Sequence, residues 1–424
     1  MNRREFMKKS TAGTFVFASG ASVPTHAAAG TSNSIRWFLK RKHYESLGPL
    51  DLLPQLDRQQ QILNEHMIKY GTSESGKICM RQVCMPAETC AHYYAMTGDP
   101  MTLKAVKTAV TTFRNYRHKA RGRRIPYEPV DPARRPKRPT TIEYETISCH
   151  VGRNMRGMRA AAHILQDESL LRQAVEEMNW WIDNPLAFNR TKHFFDARVF
   201  VDDNGRTVGS ERKYTLNMGG SLASAMWMVG SDLGDRRLMQ YAEDQIINGI
   251  TPWQHETGYL PYCTTHAYEM VDGIALDSNH YHGLTLQVLS PLLAYKFWRR
   301  QPKFVEMMRR GAKYVRNNLT FETGVVKHPR HIAAIRKSRH KRCPKAPFGS
   351  TVNSALVHTR IYKYLGDEEA LTQAGRNLRW LYWNTPSLIP FSHCFREVVL
   401  MAWEGIHLKQ KGIRDVQAVL VEQR

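Results

Sequence analysis

The sequence predicts an all-α fold: an (α/α) toroid of about six to seven helical hairpins, with a minor β-hairpin in a loop. Three observations predict it. A turn motif recurs at a nearly fixed spacing. Apolar and amphipathic helical segments alternate around that turn. Strand-like alternation is scarce along the rest of the chain.

The turn motif comes first. "YYAMTGDPMTLKAV" turns at Gly98-Asp99, "HILQDESLLRQAV" at Gln166-Asp167 and "MVGSDLGDRRLMQYA" at Gly234-Asp235. "AYKFWRRQPKFVEMM" turns at Gln301-Pro302 and "IYKYLGDEEALTQA" at Gly366-Asp367. The second positions of these pairs are 68, 68, 67 and 65 residues apart. A regular period of this kind marks a repeat architecture. The segment before each turn is apolar around much of its circumference. The Asp of the turn caps the segment after it, which is amphipathic and more charged, as in "DRRLMQYAEDQIING". Two partial units flank the five, "LLPQLDRQQQILNEHMIKYG" and "FREVVLMAWEGIHLKQKG". "HFFDARVFVDDNGRTVG" (193–209) reads as the β-hairpin, with Asn204-Gly205 as its turn. An open solenoid is the alternative stacking of such units. The long loops favour the toroid, because they all precede the apolar helices and so gather on one face, with the starts of the inner helices.

Residues 1–29 read as a twin-arginine export signal and residues 30–424 as a single catalytic domain. Arg3 and Arg4 precede Phe6-Met7, a weakly apolar stretch runs from Ala12 to Val23, and "THAAAG" offers a small-residue cleavage site. No later run is long enough to span a bilayer. The expected destination is a bacterial periplasm, reached in the folded state. Net charge is +23, of which +3 lies in the signal. That much positive charge draws polyanions, and outside the cytoplasm these are acidic polysaccharides rather than nucleic acid. The seven cysteines are an odd number and fit no zinc spacing, so they read as buried or paired structural residues.

The starts of the inner helices carry the candidate site. "ETISCHVGRNMRG" brings His150, Arg153 and Asn154, and "ERKYTLNMGG" brings Tyr214 and Asn217. "ALDSNHYHGLTLQVL" brings Asn279, His280, Tyr281 and His282. "FGSTVNSALVHTRIYKYL" brings Asn353 and His358, and "FSHCFREVV" brings His393 and Arg396. Two basic loops, 117–139 and 327–345, the second containing Arg330, would line the same rim. Amides, histidines, arginines and tyrosines recur here, without an evident pair of carboxylates, although Glu143, Glu145, Glu256, Glu269, Asp272 and Asp277 lie nearby in sequence.

These residue types suit β-elimination on a uronic-acid polymer. An amide or cation neutralises the carboxylate beside C5, so that charge developing there is stabilised. A histidine or phenolate takes the C5 proton and an acid protonates the departing O4 oxygen. Hydrolysis of a glycoside would instead call for two carboxylates across the bond.

An exported α/α toroid with an Asn-His pair opening an inner helix resembles the alginate-lyase-type and heparinase-type polysaccharide lyases. The sharp part of the likeness is Asn279-His280 in "DSNHYHG", similar to their N-N-H element; Ser278 stands where they have the first Asn. The resemblance implies that Asn279 neutralises the carboxylate, that His280 is the base, and that a tyrosine is the acid. The segment downstream, "TFETGVVKHPRHIAAIRKSRHKRCPKAPFGSTVN", contains no tyrosine, which leaves Tyr281, Tyr214 and Tyr262 as candidates.

The expected enzyme is therefore a polysaccharide lyase. Its catalytic candidates are His280, Tyr281, Tyr214 and, as a second base, His150. Its substrate-binding candidates are Asn279, Asn217, Arg153, Asn154, His282 and Arg330. A hydrolase acting on uronide oligosaccharides, a C5-epimerase and a non-catalytic binder of acidic glycans are the alternatives. No redox or nucleotide cofactor is expected, since no phosphate-binding glycine loop occurs. A zinc at His280 and His282, with His266 or His255, is the alternative use of those rings, and a structural zinc or calcium stays open. The partner is an acidic polysaccharide, with no nucleic acid and no stable membrane insertion; the oligomeric state is not encoded legibly.

Overall fold

The structure, a computed structural model, describes residues 53–71, 83–119, 128–129, 144–202, 206–265, 268–275, 279–321, 324–326 and 348–384. The export signal, the basic loop 327–345 with Arg330, most of the loop 117–139, His393, Arg396 and the last partial unit lie outside the described residues.

Five hairpins follow one another. They are α2 (Ala87–Thr97) with α3 (Pro100–Lys119), α4 (Ser148–Leu165) with α5 (Glu168–Asp183), and α6 (Leu216–Leu233) with α7 (Arg236–Asp244). Then come α8 (Asn279–Leu289) with α10 (Pro302–Tyr314), joined through the short α9 (Lys296–Arg299), and α11 (Phe348–Leu365) with α12 (Glu368–Asn384). A preceding helix, α1 (Leu53–Gly71), packs on α3. The inner helices α2, α4, α6, α8 and α11 pack side by side in chain order, and each outer helix lies against its own inner helix. This is the all-α toroid architecture.

The turns work as their sequences require. Gly98, Gly234 and Gly366 end their helices in the left-handed conformation, at φ of 67°, 69° and 72°, where glycine meets no Cβ penalty. The aspartate that follows caps the next helix. Asp99 accepts from the Thr102 N–H at 2.9 Å, Asp235 from Leu238 at 3.1 Å and Asp367 from Ala370 at 3.0 Å. In the second hairpin Gln166 takes the left-handed position at φ 54°, and Asp167 accepts from the Ser169 N–H at 3.1 Å. The fourth turn uses Pro302 as the first helical residue, where its missing N–H costs nothing.

Helix α4 touches both of its neighbours through glycine. A Cβ at Gly152 would fall within contact distance of the Ser221 carbonyl of α6, and one at Gly157 would strike the Cys84 carbonyl beside α2. Backbone cannot yield there, so α4 is held tightly between the two. The core around it is apolar and fully enclosed, including Met155, Met158, Met226, Trp181 and Trp298.

The β structure is larger than the expected hairpin. β1 (Glu128–Pro129), β2 (Tyr144–Ile147), β5 (Arg198–Val201) and β6 (Thr207–Ser210) form one antiparallel sheet in the order β1-β2-β5-β6. The predicted hairpin is its β5–β6 half, with Val201 opposite Thr207; Asn204 and Gly205 lie outside the described residues. The first residues of the predicted hairpin do not join it. Instead β4 (Phe194–Phe195) pairs back with β3 (Phe188–Asn189). A second two-stranded piece joins β7 (Met270–Val271) to β8 (Ile274–Ala275). Strand β2 runs directly into α4, whose N-cap is Ile147 in extended conformation, so the sheet is attached to the first turn of an inner helix.

Two substitutions separate these contributions. Asp235→Ala removes only a cap and is expected to cost about 1 kcal/mol. Gly152→Ala forces α4 off α6 and is expected to cost about 1–3 kcal/mol. Urea unfolding followed by circular dichroism measures both, and a Gly152→Ala protein as stable as the parent would contradict the packing described.

Candidate active site at the mouth of the toroid

The inner helices all begin on one side, and their first turns build the mouth. The start of α6 is fixed by the segment 259–265, which pairs with it as a short ribbon. The Leu216 N–H donates to the Tyr262 carbonyl at 3.2 Å, and the Thr264 N–H donates to the Tyr214 carbonyl at 3.1 Å. The Ser221 hydroxyl donates to the Cys149 carbonyl at 3.3 Å, tying α6 to the first turn of α4. Arg153 follows Gly152 in α4, and Asn217 lies one turn above Ser221 in α6.

Below the mouth, α4 carries arginines three residues apart, at 153, 156 and 159. The two deeper ones are buried and neutralised. Arg156 meets Glu88 of α2 with Nε at 3.1 Å and Nη2 at 2.7 Å. Arg159 meets Asp232 of α6 at 2.7 Å and 3.0 Å, and the His163 ring reaches the same carboxylate at 2.6 Å. Burial pushes the Glu88 carboxyl up, but Arg156, His92 and Arg360 together hold it below its ordinary value. Arg360 belongs to α11, so its influence on α2 crosses the ring. Burial likewise opposes charge on Asp232, and Arg159 with His163 outweighs it and leaves the carboxyl lowered. Arg153 differs from both. It is half-buried and has no carboxylate partner among the described residues.

Three asparagines on the inner helices are buried with an unanswered amide. Asn154 and Asn217, 2% and 4% exposed, each have an Oδ1 without a donor, and Asn353, at 0%, has neither amide atom paired. Asn217 is at the start of α6, one turn before the Ser221 contact with α4. Asn154 is about 100° further round α4 than Arg153 and so leaves its face.

The other expected site residues divide. Asn279, His280 and Tyr281 form the first turn of α8, as the motif requires, but their side chains lie outside the described residues. His150 is half-buried in the first turn of α4. His282 is a correction. Its ring is fully buried, Nδ1 accepts from the Leu260 N–H at 2.9 Å, and Nε2 donates to the Gly311 carbonyl at 3.1 Å. Both nitrogens are spent on backbone, between the Tyr259 and Tyr314 rings, so none remains for a ligand. The reason is helical phase: His282 shares the outward side of α8 with Leu286, which packs on Gly311 of α10. Tyr214 is also turned from the mouth. It is buried against Phe194, and its hydroxyl accepts from Asn189 of β3 at 2.8 Å.

Tyr262 is better placed than Tyr214. It is half-buried in the ribbon beside α6, with the Lys213 ammonium 4.6 Å from its ring centre. Burial, then Cys263 and Glu211, push its phenol up, which keeps it protonated. Asp196 is an acid that sequence reasoning missed. It is buried and accepts from the Arg198 and Lys213 N–H groups at 3.2 Å and 3.3 Å, yet burial still pushes its carboxyl up. Nothing in "HFFDARV" distinguishes it from an ordinary turn aspartate. Glu145 is buried with Arg198 at 3.1 Å, while Glu256, Glu269 and Asp272 are exposed.

Among the described residues, no group of three or more His, Cys, Asp or Glu side chains is placed to hold a metal ion. Among the described cysteines, Cys84, Cys90 and Cys263 are buried and Cys149 is half-buried. No helix of the described residues is long and apolar enough to cross a membrane.

Solved structures share this fold. The cellobiose 2-epimerase of Bacillus thermoamylovorans superposes with a TM-score of 0.56 at 9% identity, over 83% of this chain and 99% of its own. An unsaturated glucuronyl hydrolase specific for heparin gives 0.55 at 8% identity, over 87% and 98%. A sugar epimerase from a ruminal bacterium gives 0.54 at 11% identity, over 84% and 100%. At these identities the likeness is one of fold. No family model and no curated protein matches the sequence.

The buried histidines set a pH dependence. Burial pushes the His282 and His358 rings down to about 4. In the unfolded chain such rings take a proton near 6.5, about two and a half units higher. Folding therefore excludes protons between these values, and stability falls as pH drops from about 6.5 to about 4, by on the order of 3 kcal/mol per ring, and then levels off in this contribution. Thermal midpoints measured across that range should decline. A flat profile would mean that these rings are not buried in neutral form.

Proposed function

We propose that the protein is an enzyme that cleaves an acidic, uronate-containing glycan by β-elimination. The observation that carries the proposal is Arg153. Of three arginines along one inner helix, two are matched by buried carboxylates, and the one at the mouth is left for an anion brought from outside. A uronate carboxylate suits it, with the Asn217 amide and Asn279 as the further residues expected to bind that group. The net charge of +23 would draw such a polymer in. One of the structures with this fold is a glucuronyl hydrolase specific for heparin, which gives the scaffold a precedent for an acidic glycan.

The chemistry follows from the roles. Arg153 and the amides neutralise the carboxylate and stabilise the negative charge that develops as the C5 proton leaves. His280 takes that proton, with His150 as second base. The C5–H electron pair forms the C4–C5 double bond, the C4–O bond breaks, and the departing O4 takes a proton from a phenol. Tyr262 has what this acid needs, a protonated hydroxyl held beside α6, and Tyr281 is the other candidate. Glu145 is already committed to Arg198 and Asp196 to backbone amides, so these two do not supply a hydrolytic pair. Export by the twin-arginine route to the periplasm and the absence of a cofactor in the chemistry belong to the same proposal.

Incubation with alginate, glucuronan, pectate, hyaluronan and heparan sulfate, followed by ultraviolet absorbance, tests it. The new double bond is conjugated to the carboxylate, so absorbance should rise with at least one polymer. His280→Ala should lower kcat about 10²- to 10⁴-fold. Arg153→Gln should lower kcat/KM about tenfold or more, with kcat falling as well as KM rising. Reducing ends without absorbance would replace elimination by hydrolysis.

A further inference from the structure

Asn353 is a buried polar side chain that the proposed chemistry leaves unused. It lies in the second turn of α11, at the seam with α8. The register of that seam is fixed lower down, where the buried Arg360 donates to the Ser290 hydroxyl at 2.7 Å across an offset of 70 residues. Gly283 and Asn353 meet at the same offset: a Cβ placed on Gly283 would stand 3.7 Å from the Asn353 Cβ. Gly283 directly follows the turn that begins with Asn279 and His280. Asn353 therefore packs against α8 just past its first turn.

Its environment is unusual for an amide. The side chain is fully buried, and neither Nδ2 nor Oδ1 has a partner. Exchanging the two atoms changes nothing, since both are unanswered. One turn along α8 from Gly283, Gln287 is 2% exposed and its Oε1 also lacks a donor. Two free N–H donors on one nitrogen and two free acceptor oxygens thus share one seam. Buried polar atoms left so cost folding free energy, and the cost is recovered when a ligand supplies the missing partners.

The balance of these atoms names the ligand group. A carboxylate or a sulfate ester only accepts, so it would satisfy Nδ2 and set its oxygens against two amide oxygens. A hydroxyl both donates and accepts and answers the set. We propose that Asn353, with Gln287 below it, forms a hydroxyl-recognising subsite in the α8–α11 seam, and that it selects uronate residues with a free hydroxyl over those in which the same hydroxyl is sulfated or O-acetylated. This rests on the reading that the mouth binds a uronate glycan. It narrows the substrate to unsubstituted polyuronates, because a site built to hydrogen-bond a hydroxyl rejects analogues without it far more strongly than an apolar site does.

The test uses the full chain, Asn353→Leu and Asn353→Asp. Each is assayed on the polyuronate that the parent cleaves best and on the same polymer after chemical O-acetylation. The parent should prefer the unsubstituted polymer by about a hundredfold in kcat/KM. Asn353→Leu, close in volume, should lose about a hundredfold on the unsubstituted polymer. Its preference should collapse towards one, while its thermal midpoint stays level or rises, because an unanswered amide has been removed. Asn353→Asp, which lacks the donor, should lose affinity without gaining a preference for the substituted polymer. A Leu variant that keeps its activity and preference overturns the proposal. So does one whose midpoint falls by several degrees while KM is unchanged, since the amide would then be satisfied by buried water and serve the fold. If the parent turns over no polyuronate, the elimination reading fails by itself. Calorimetric titration of parent and Leu variant with unsubstituted and acetylated oligouronates then still decides the subsite, with equal affinities for all four pairs counting against it.

Discussion

The structure depends on how closely α4 can approach its neighbours. Gly152 and Gly157 lie on different sides of that helix, one against the Ser221 carbonyl and the other against the Cys84 carbonyl. Without a Cβ at either place, α2, α4 and α6 stand near enough for long side chains to cross between them. Arg156 reaches Glu88 and Arg159 reaches Asp232 only because the backbones are this close. A wider ring would leave charges buried without partners, which is far more costly than exposing them. Tight backbone contact and the interior ion pairs are thus one constraint.

That constraint also defines the mouth. The interior of the toroid is polar along α4, but its charges are matched wherever they are deep. Glu88 and Asp232 are held ionised against the pull of burial by the arginines beside them, with His163 adding to the second pair. The matching stops at Arg153, where the ring opens. An arginine that has only to reach water can be half-buried without a partner, and in that state it favours an anion that arrives. The position of the candidate site follows from where neutralisation ends.

The sheet contributes on the same side. β2 feeds α4, and the ribbon at 259–265 fixes the start of α6, so two inner-helix starts are held by strands rather than by caps. Neither Ile147 nor Thr215 caps its helix with a side chain. The side chains at these starts are thereby freed from capping, which is the usual work of polar residues at helix N-termini. At the opposite ends, Asp99, Asp167, Asp235 and Asp367 perform that work.

By itself the sequence determined the hairpins, since in four of the five a left-handed residue followed by a capping aspartate acts within five residues and needs no distant partner. It determined the direction of the chain through each unit, and hence that the helix starts share a face. It also placed α8 at Asn279, the first residue of its Asn-His motif. Only the tertiary structure decided which polar residues on that face are free. His282 and Tyr214 looked like ligands in the chain, yet the Gly311 carbonyl and the Asn189 amide, distant in sequence, claim them. The sequence singled out Arg153 at a helix start, and only the structure shows that Arg156 and Arg159 are taken up by Glu88 and Asp232. The expected hairpin became a four-stranded sheet because β2 arrives from a loop about fifty residues earlier. Hydrogen bonds and ion pairs of this kind are made across the ring, and a local pattern carries no record of the partner.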